Sequence, residues 1–278
     1  MLFSTIRRAA LAGLLALVSS HGATAQTYPT KPITLIVPFA AGGPSDIIAR
    51  LVGDHMGRTL GQQIVIENVA GAGGTLGARR LATADPDGYT LLIHHLALAA
   101  APSLYKLSYD TKTALVPVGL INTGPMVIAS KLSLPPADSK AFFPYIKENA
   151  SKLTAAHAGI GSNAHLCAVL LSQVLGVNFT QVAYRGTGPA MNDLIAGQVD
   201  LLCDQSTTAV PQIQAKQVRA YAVTSPKRLA ALPDTPTANE AGVNLEMAIW
   251  HGLYAPENTP APILDKLNEG RALQCRDR

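Results

Sequence analysis

The sequence contains few charged residues, and those it has are not clustered. Charged residues make up 14% of the 278 positions, and the formal net charge is +4 at pH 7. No block of five or more basic residues occurs, so nucleic acid and anionic membrane surfaces are not indicated as partners. Beyond residue 25, no apolar run reaches the roughly 18 residues of a membrane-spanning helix. We therefore expect a soluble mature protein.

Motifs of several enzyme classes are missing as well. There is no H-E-x-x-H, no C-x-x-C, no G-x-S-x-G and no pair of carboxylates spaced for catalysis. Ser162 and His165 are too close along a predicted helix to form a nucleophile elbow, and Gly71–Thr75 lacks the lysine of a Walker loop. His94 and His95 are neighbours on a predicted strand, so we expect at most one of them to face a cleft. Neither a metal nor an organic cofactor is expected.

The stretch GIGSNA (159–164) fits the dinucleotide fingerprint G-x-G-x-x-A between a predicted strand and a predicted helix. That fingerprint normally comes with an acidic residue at the end of the next strand. Here the next strand ends at Tyr184 and Arg185. An arginine suits a 2′-phosphate, but a secreted protein has little access to nicotinamide cofactors. We therefore do not favour a dehydrogenase.

Cysteine is scarce, with three residues at positions 167, 203 and 275. Their spacing matches no zinc pattern. Cys167 is predicted on a helix and Cys203 at the end of a strand in the same half of the chain. In an oxidising compartment these two are the favoured disulfide pair, and two buried thiols are the alternative.

The first 25 residues have the pattern of a cleaved signal peptide. Arg7 and Arg8 precede the apolar stretch Ala9–Val18, and Ala23-Thr24-Ala25 fits a small-x-small cleavage site. Cleavage there removes two positive charges and leaves a formal net charge of +2 from the original +4. A secreted or periplasmic location is predicted.

Apolar runs of strand length alternate with stretches of helical periodicity, which predicts parallel α/β structure. The predicted strands are Ile33–Phe39, Ile64–Glu67, Thr90–His94, Val116–Ile121, Val127–Ser130, Leu153–His157, Phe179–Tyr184, Asp200–Cys203, Ala220–Thr224 and Leu245–Leu253. The predicted helices are Ser45–Leu60, Leu76–Ala84, Asp138–Asn149, Asn163–Leu175, Pro189–Ala196, Ala209–Lys216 and Pro262–Leu273.

Three turns between a strand and a helix carry glycine and small polar residues. They are VPFAAGGPSDII (37–48), HAGIGSNAHL (157–166) and VAYRGTGPAMNDLI (182–195). Such turns leave backbone N–H groups exposed at the positive end of a helix dipole, which suits an anion. The alternative is that the glycines only permit tight turns. One such turn in the first third of the chain and two in the middle indicate two α/β lobes that face each other across a cleft.

Six stretches together resemble the Bug family, the solute receptors of tripartite tricarboxylate transporters. They are YPTKPITLIVPFAAGGPSDIIARL, VIENVAGAGGTLGA, ADPDGYTLL, GSNAHL, YRGTGPAMNDLIAGQVDLLCDQ and WHGLYAPENTP. The resemblance extends from about Tyr28 to Leu273. It implies an α/β, type II periplasmic-binding-protein fold with two lobes and a central cleft. Lobe 1 would comprise residues 27–125 and 226–278, and lobe 2 residues 126–225.

The resemblance also implies a site in which loops of both lobes hold a carboxylate. Backbone N–H groups and Ser or Asn donors can cradle carboxylate oxygens without a formal counter-charge. Phe39 and Tyr184 would be apolar walls. Asp204 suits a dicarboxylate only through a water, an amine or a loop N–H, and a turn cap is its alternative role. The residues carried over by motif are Phe39, Ala40, Gly42, Gly43, Asp46, Gly161, Ser162, Asn163, His165, Tyr184, Arg185, Gly186 and Asp204.

Two further features bear on the ligand and on the end of the chain. The stretch LLIHHLALAAAPSLY resembles family members that bind terephthalate-like aromatic carboxylates. His94 or His95 would then border the cleft, with Leu96, Leu98 and Ala99 beside a ring. After ILDKLNEGRAL the family normally continues through more helix–strand units, whereas this chain continues as QCRDR. We expect a truncated or frameshifted member whose first lobe exposes apolar surface.

The sequence therefore predicts a periplasmic, non-catalytic receptor that captures a small organic carboxylate, closes around it and presents it to membrane permease subunits. We expect no cofactor, no nucleic-acid partner and a monomer. Two other classes stay open. One is a secreted α/β hydrolase or dehydrogenase, and the other is a ligand-sensing subunit of a signalling system that uses the same site.

Overall fold

The structure, a computed structural model, describes residues 28–272. The predictions about the signal peptide and about the chain from position 273 onward, Cys275 included, lie outside these residues. The strands are β1 Ile33–Val37, β2 Ile64–Asn68, β3 Thr90–His95, β4 Leu115–Lys131, β5 Thr154–His157, β6 Thr180–Ala183, β7 Leu201–Gln205, β8 Val218–Val223 and β9 Ala248–Pro256. The helices are α1 Pro44–Leu60, α2 Thr75–Ala82, α3 Ala97–Leu104, α4 Ser139–Asn149, α5 Asn163–Leu175, α6 Thr187–Ile195, α7 Ser206–Gln214 and α8 Ala261–Arg271.

The strands form one sheet in the order β2-β1-β3-β9-β4-β7-β5-β6, and β8 pairs with β4. In the first half, β1 pairs in parallel with β2 and β3, and β9 is antiparallel to β3. In the second half, β5 pairs in parallel with β6 and β7. The alternation of strands and helices along the chain thus produces parallel pairing, as the sequence predicts.

Strand β4 joins the two halves of the sheet. Residues 115–125 pair with β9, whereas residues from Met126 onward pair with β7 and β8. The sequence predicts two separate strands here, Val116–Ile121 and Val127–Ser130, and this division is wrong. The polar stretch between them stays in the ladder, because Asn122, Thr123 and Gly124 pair with β9 across two irregularities in register.

Helix α3 is missing from the sequence-based prediction. Its residues are almost uniformly apolar and include Pro102, so they show no helical periodicity. Pro102, the sixth of eight residues, has no N–H to donate to Leu98 O, so this short helix lacks one of its few i→i−4 hydrogen bonds. Among the described residues, no helix is long and apolar enough to cross a membrane.

Each half of the sheet has its own apolar core. Ile36, Leu81 and Leu92 belong to the core of the first half. The larger core of the second half is built around residues such as Phe142 and Tyr221, whose rings stack with centroids 3.8 Å apart. This core also includes residues from the segment that leads into β9: Ala238, Val243, Leu245, Met247 and Ile249.

A disulfide bond joins Cys167 on α5 to Cys203 on β7, with the Cα atoms 6.1 Å apart. Both residues are buried in the core of the second half. The pairing favoured from the sequence is confirmed. The bond links α5 to β7 near the start of the helix and near the end of the strand. Both of these ends lead to the site described below.

Candidate functional site

A narrow cavity, with room for about one water molecule, lies where loops from the two halves of the sheet meet. Six of its lining residues are among the predicted binding residues: Phe39, Gly43, His95, Ser162, Asn163 and Asp204. Seven others were not predicted: Pro44, Ser45, Met126, Ala158, Ala164, Thr187 and Gln205.

Four helices begin at this cavity. Pro44 and Ser45 start α1, Asn163 and Ala164 start α5, Thr187 starts α6, and Gln205 is the N-cap residue of α7. The first N–H groups of a helix have no partner within the helix, and the helix dipole places partial positive charge there. The lining residues, all within the described part of the chain, include no Lys or Arg. The electrostatic attraction for an anion therefore comes from backbone dipoles.

The first glycine turn is shaped by Asp46, which lies in the first turn of α1. Its Oδ2 accepts hydrogen bonds from Gly42 N and Arg50 Nε, each at 3.0 Å, and its Oδ1 accepts one from Asn68 Nδ2 at 3.1 Å. Burial raises the pKa of Asp46, but the hydrogen bonds from Arg50, Gly42 and Asn68 outweigh it and hold the pKa below its usual value. Asp46 fixes the turn and does not line the cavity.

Histidines and an aromatic ring form the wall of the cavity on the side of the first half. The ring of His95 stacks on Phe39 with centroids 4.6 Å apart and lines the cavity. His94 does not line it, and its Nδ1 accepts the backbone N–H of His95 at 2.8 Å. Burial lowers the pKa of His94 to about 4 and that of His95 well below its usual value. Both rings are therefore neutral at physiological pH.

His251 on β9 supports the cavity from behind. Its Nδ1 is 3.0 Å from Asn122 Oδ1, and its Nε2 is 3.1 Å from the hydroxyl of Ser45. In the neutral ring this arrangement makes Nδ1 the donor to Asn122 and Nε2 the acceptor from Ser45. Burial lowers the pKa of His251 to about 3. The ring thus fixes the orientation of Ser45 at the start of α1.

The wall on the side of the second half contains buried polar atoms without partners. Within residues 28–272, these atoms are Asn163 Nδ2 and Oδ1, Asp204 Oδ1 and Gln205 Oε1. Asp204 is fully buried at the carboxyl end of β7, and its Oδ2 accepts a hydrogen bond from Thr208. Burial raises the pKa of Asp204 to about 6, although Thr208, the Gln205 N–H and Thr187 favour the ionised form. Unpaired buried polar atoms are rare, and four of the five in residues 28–272 belong to side chains that line this cavity, the fifth being Arg271 Nε.

Several predicted binding residues lie around the cavity rather than in it, at contacts between loops of the two halves. Ala40 N donates to Arg185 O at 3.0 Å. A Cβ on Gly186 would be 2.9 Å from Ala40 N, so this approach requires glycine. A second contact is made by Tyr105, whose hydroxyl donates to Ile160 O at 2.9 Å.

The other predicted residues outside the cavity make local contacts. Tyr184 donates its hydroxyl to Asp193 Oδ2 at 2.6 Å. Gly161 N donates to Nδ1 of His165 at 3.2 Å, and His165 N donates to Ser162 Oγ at the same distance. These contacts hold the turns that precede α6 and α5.

Most of the lining residues that the prediction missed share one signal. Pro44, Ser45, Ala164, Thr187 and Gln205 each lie at or next to the first residue of a helix that follows a strand. At these positions the first N–H groups of a helix are exposed, as they are at the three glycine turns. The fourth turn, β7 to α7, contains no glycine and so carries no such pattern in the sequence.

The fold is that of the two-lobed periplasmic solute-binding receptors. Residues 48–275 match the model of the tripartite tricarboxylate transporter family receptors. The chain belongs to this family, as the resemblance to Bug receptors implies. Receptors of this family are periplasmic, bind small carboxylates and work with transporter permeases.

Individual relatives agree with this assignment. A protein of Agrobacterium vitis from the TAR-I ttuE-ttuC' intergenic region is 47% identical over 253 residues, which cover 90% of this chain and 73% of the relative. The solved structure of the periplasmic binding protein BugD is 48% identical, with a TM-score of 0.85 over 88% of this chain and 82% of BugD. MatC from Rhodopseudomonas palustris, solved with bound malate, is 43% identical, with a TM-score of 0.84 over 88% and 84% of the two chains.

Proposed function

We propose that this protein binds a small organic carboxylate in the periplasm, in the cavity between its lobes, and delivers it as a monomer to the permease subunits of a tripartite transporter. The observation that carries this proposal is the convergence of four helix N-termini on a cavity whose described lining has no Lys or Arg. A carboxylate is an anion that accepts hydrogen bonds from several N–H groups at once.

In this proposal the predicted residues have two kinds of role. Gly43, Ser162 and Asn163 lie where the first N–H groups of α1 and α5 face the cavity, and they contact the ligand together with Phe39 and His95. The remaining residues hold the turns or the contact between the lobes. These positioning residues are Ala40, Gly42, Asp46, His94, Gly161, His165, Tyr184, Arg185 and Gly186.

We also propose bounds for the lobes. For the first crossing we keep the position between residues 125 and 126 expected from the sequence, because β4 changes its pairing partner there. For the second crossing we favour Met247–Ile249 over residue 226, because Val243 and Leu245 pack in the core of the second half. A hinge motion at these two crossings would close the lobes. A ligand that contacts both lobes would stabilise the closed arrangement.

The cavity favours a short aliphatic carboxylate over an aromatic one. Leu96, Leu98 and Ala99, expected beside an aromatic ring, do not line the cavity. Leu98 instead packs in the core of the first half, and Leu96 packs against the core of the second. The bound malate of MatC, a relative with 43% identity, supports the same ligand class.

Calorimetric titration and thermal shift of the purified protein test this proposal against succinate, malate, aspartate, citrate, nicotinate and terephthalate. A ligand at 100 times its Kd stabilises the folded state by about 2.7 kcal/mol, which raises the Tm measurably. Asn163→Leu should abolish the shift, while the matched change at the exposed Asn178 on the outer surface should leave it intact. A cooperative melt that none of these carboxylates moves contradicts the proposal. Turnover of an ester or oxidation of an added substrate would favour the secreted enzyme instead.

A further inference from the structure

Building on the proposed function, we infer that Asp204 and Gln205 make the site selective for carboxylates that also carry a hydrogen-bond donor, a hydroxyl or an ammonium. Carboxylates without such a donor would bind more weakly. The helix N-termini hold the carboxylate, and these two side chains recognise the second group.

The first step is the position of Asp204. It lies at the carboxyl end of β7, is 0% exposed, and lines the cavity. Thr208 donates to its Oδ2, and the nearby Gln205 N–H and Thr187 favour its ionised form, but its Oδ1 accepts no hydrogen bond among the described residues. The free oxygen of a fully buried carboxyl that borders a cavity indicates recognition of something inside it.

The second step is the chemistry of the neighbouring atoms. Gln205 Oε1 is a second buried acceptor without a partner in residues 28–272, and both amide atoms of Asn163 are in the same condition. The amide nitrogen of Asn163 can donate to a carboxylate. The oxygens of Asp204 and Gln205 cannot, because a carboxylate offers only acceptors. An O–H or N–H group on the ligand satisfies them.

The third step is discrimination between ligands. A site with buried polar groups rejects a ligand that leaves those groups unpaired. A hydrogen bond to a charged group contributes enough to change affinity by about 10- to 100-fold. Succinate and malate differ by one hydroxyl, and succinate and aspartate by one ammonium. The three compounds therefore form a matched set for this site.

The experiment measures Kd for succinate, malate and aspartate by calorimetric titration with the full chain and with Asp204→Leu. We expect the unsubstituted protein to bind malate or aspartate at least about tenfold more tightly than succinate. Asp204→Leu should remove that ratio while succinate affinity changes less than the affinities of the other two. The same substitution at the exposed Asp234 is the control and should leave all three values unchanged.

A second variant separates the two donor classes. Asp204→Asn keeps an acceptor oxygen but loses the charge, so it should weaken aspartate more than malate, because the ammonium loses an ion pair and the hydroxyl only a hydrogen bond to a charged group. The ligand that the unsubstituted protein binds more tightly of the two then indicates the donor class. If Asp204→Leu does not fold, as judged by circular dichroism, Gln205→Leu provides the same ratio. Equal affinity of the unsubstituted protein for succinate and both analogues overturns the inference but leaves the proposed function standing. Binding of none of the three carboxylates, nor of the others tested above, contradicts the proposed function itself.

Discussion

Replacing Asp204 by Asn should make the ligand-free protein more stable at neutral pH. Burial raises the pKa of this carboxyl from 3.8 to about 6, so the folded state holds the proton more tightly than the unfolded chain does. The contribution of this carboxyl to the stability of the folded state is therefore fully present below pH 3.8 and is lost as the pH rises through 6. The amide resembles the protonated acid in shape and charge, and Thr208 can still donate to its oxygen.

The size of the effect follows from the shift of about two pKa units. Each unit corresponds to about 1.4 kcal/mol, so the ionised carboxyl lowers the free energy of unfolding by about 3 kcal/mol at pH 7.5 and by about 1 kcal/mol at pH 4.5. Asp204→Asn should recover these amounts. Because the substitution changes the binding site, the gain in stability should accompany a change in ligand preference.

Urea unfolding followed by circular dichroism at both pH values measures the difference directly. The comparison is made between the two proteins at each pH, which cancels the contributions of other titrating groups. An equal gain at pH 7.5 and pH 4.5 would refute the reasoning, because it would mean that ionisation of Asp204 is not the cause. No gain at pH 7.5 would show that something in the folded protein stabilises the ionised carboxyl fully.

Three further predictions concern the loops, the disulfide and the histidines. Gly188→Ala places a Cβ 2.8 Å from the backbone oxygen of Ala41 in the facing loop. Carboxylate affinity measured by calorimetry should therefore fall. Asn192→Ala, at an exposed position of the same helix, should leave the affinity unchanged. The disulfide between Cys167 and Cys203 closes a loop between positions 36 residues apart. Replacing both cysteines by Ala should lower the free energy of unfolding, measured in urea, by about 3–4 kcal/mol. An unchanged midpoint would contradict this. Burial keeps His251 neutral by lowering its pKa to about 3. The neutral ring therefore stabilises the folded state fully above pH 6.5, and this contribution is lost as the pH falls towards 3. His251→Gln should accordingly unfold at a lower pH than the unsubstituted protein in an acid titration followed by fluorescence.

Much of the fold could be predicted because its elements carry periodic apolar patterns. Helix α5 has the bounds expected from its sequence, Asn163–Leu175, since Ser162 caps one end and Gly176 the other. The errors occur where tertiary pairing overrides local pattern. The polar residues within β4 stay in the ladder because β9 supplies backbone partners from more than 120 positions away, which no local pattern reveals.

The candidate site was predictable in its chemistry and less so in its membership. Glycine turns before helices correctly indicate exposed N–H groups, and three of the four helix starts at the cavity follow such turns. Met126 carries no distinguishing pattern, because it lines the cavity only through the pairing of β4 with distant strands, whereas Ala158 lies within the second glycine turn. The open acceptor of Asp204 was not foreseeable either, since burial and partners depend on packing in three dimensions.

Strand β4 has a consequence for cooperativity. A strand of 17 residues that pairs with β9 along one part and with β7 and β8 along the rest belongs to both cores at once. Melting either lobe removes a structural element from the other. The lobes should therefore unfold in one calorimetric transition, with equal calorimetric and van't Hoff enthalpies, although they move as separate bodies in the hinge motion proposed above. Neither lobe, cut from the chain at Pro125, is expected to fold alone.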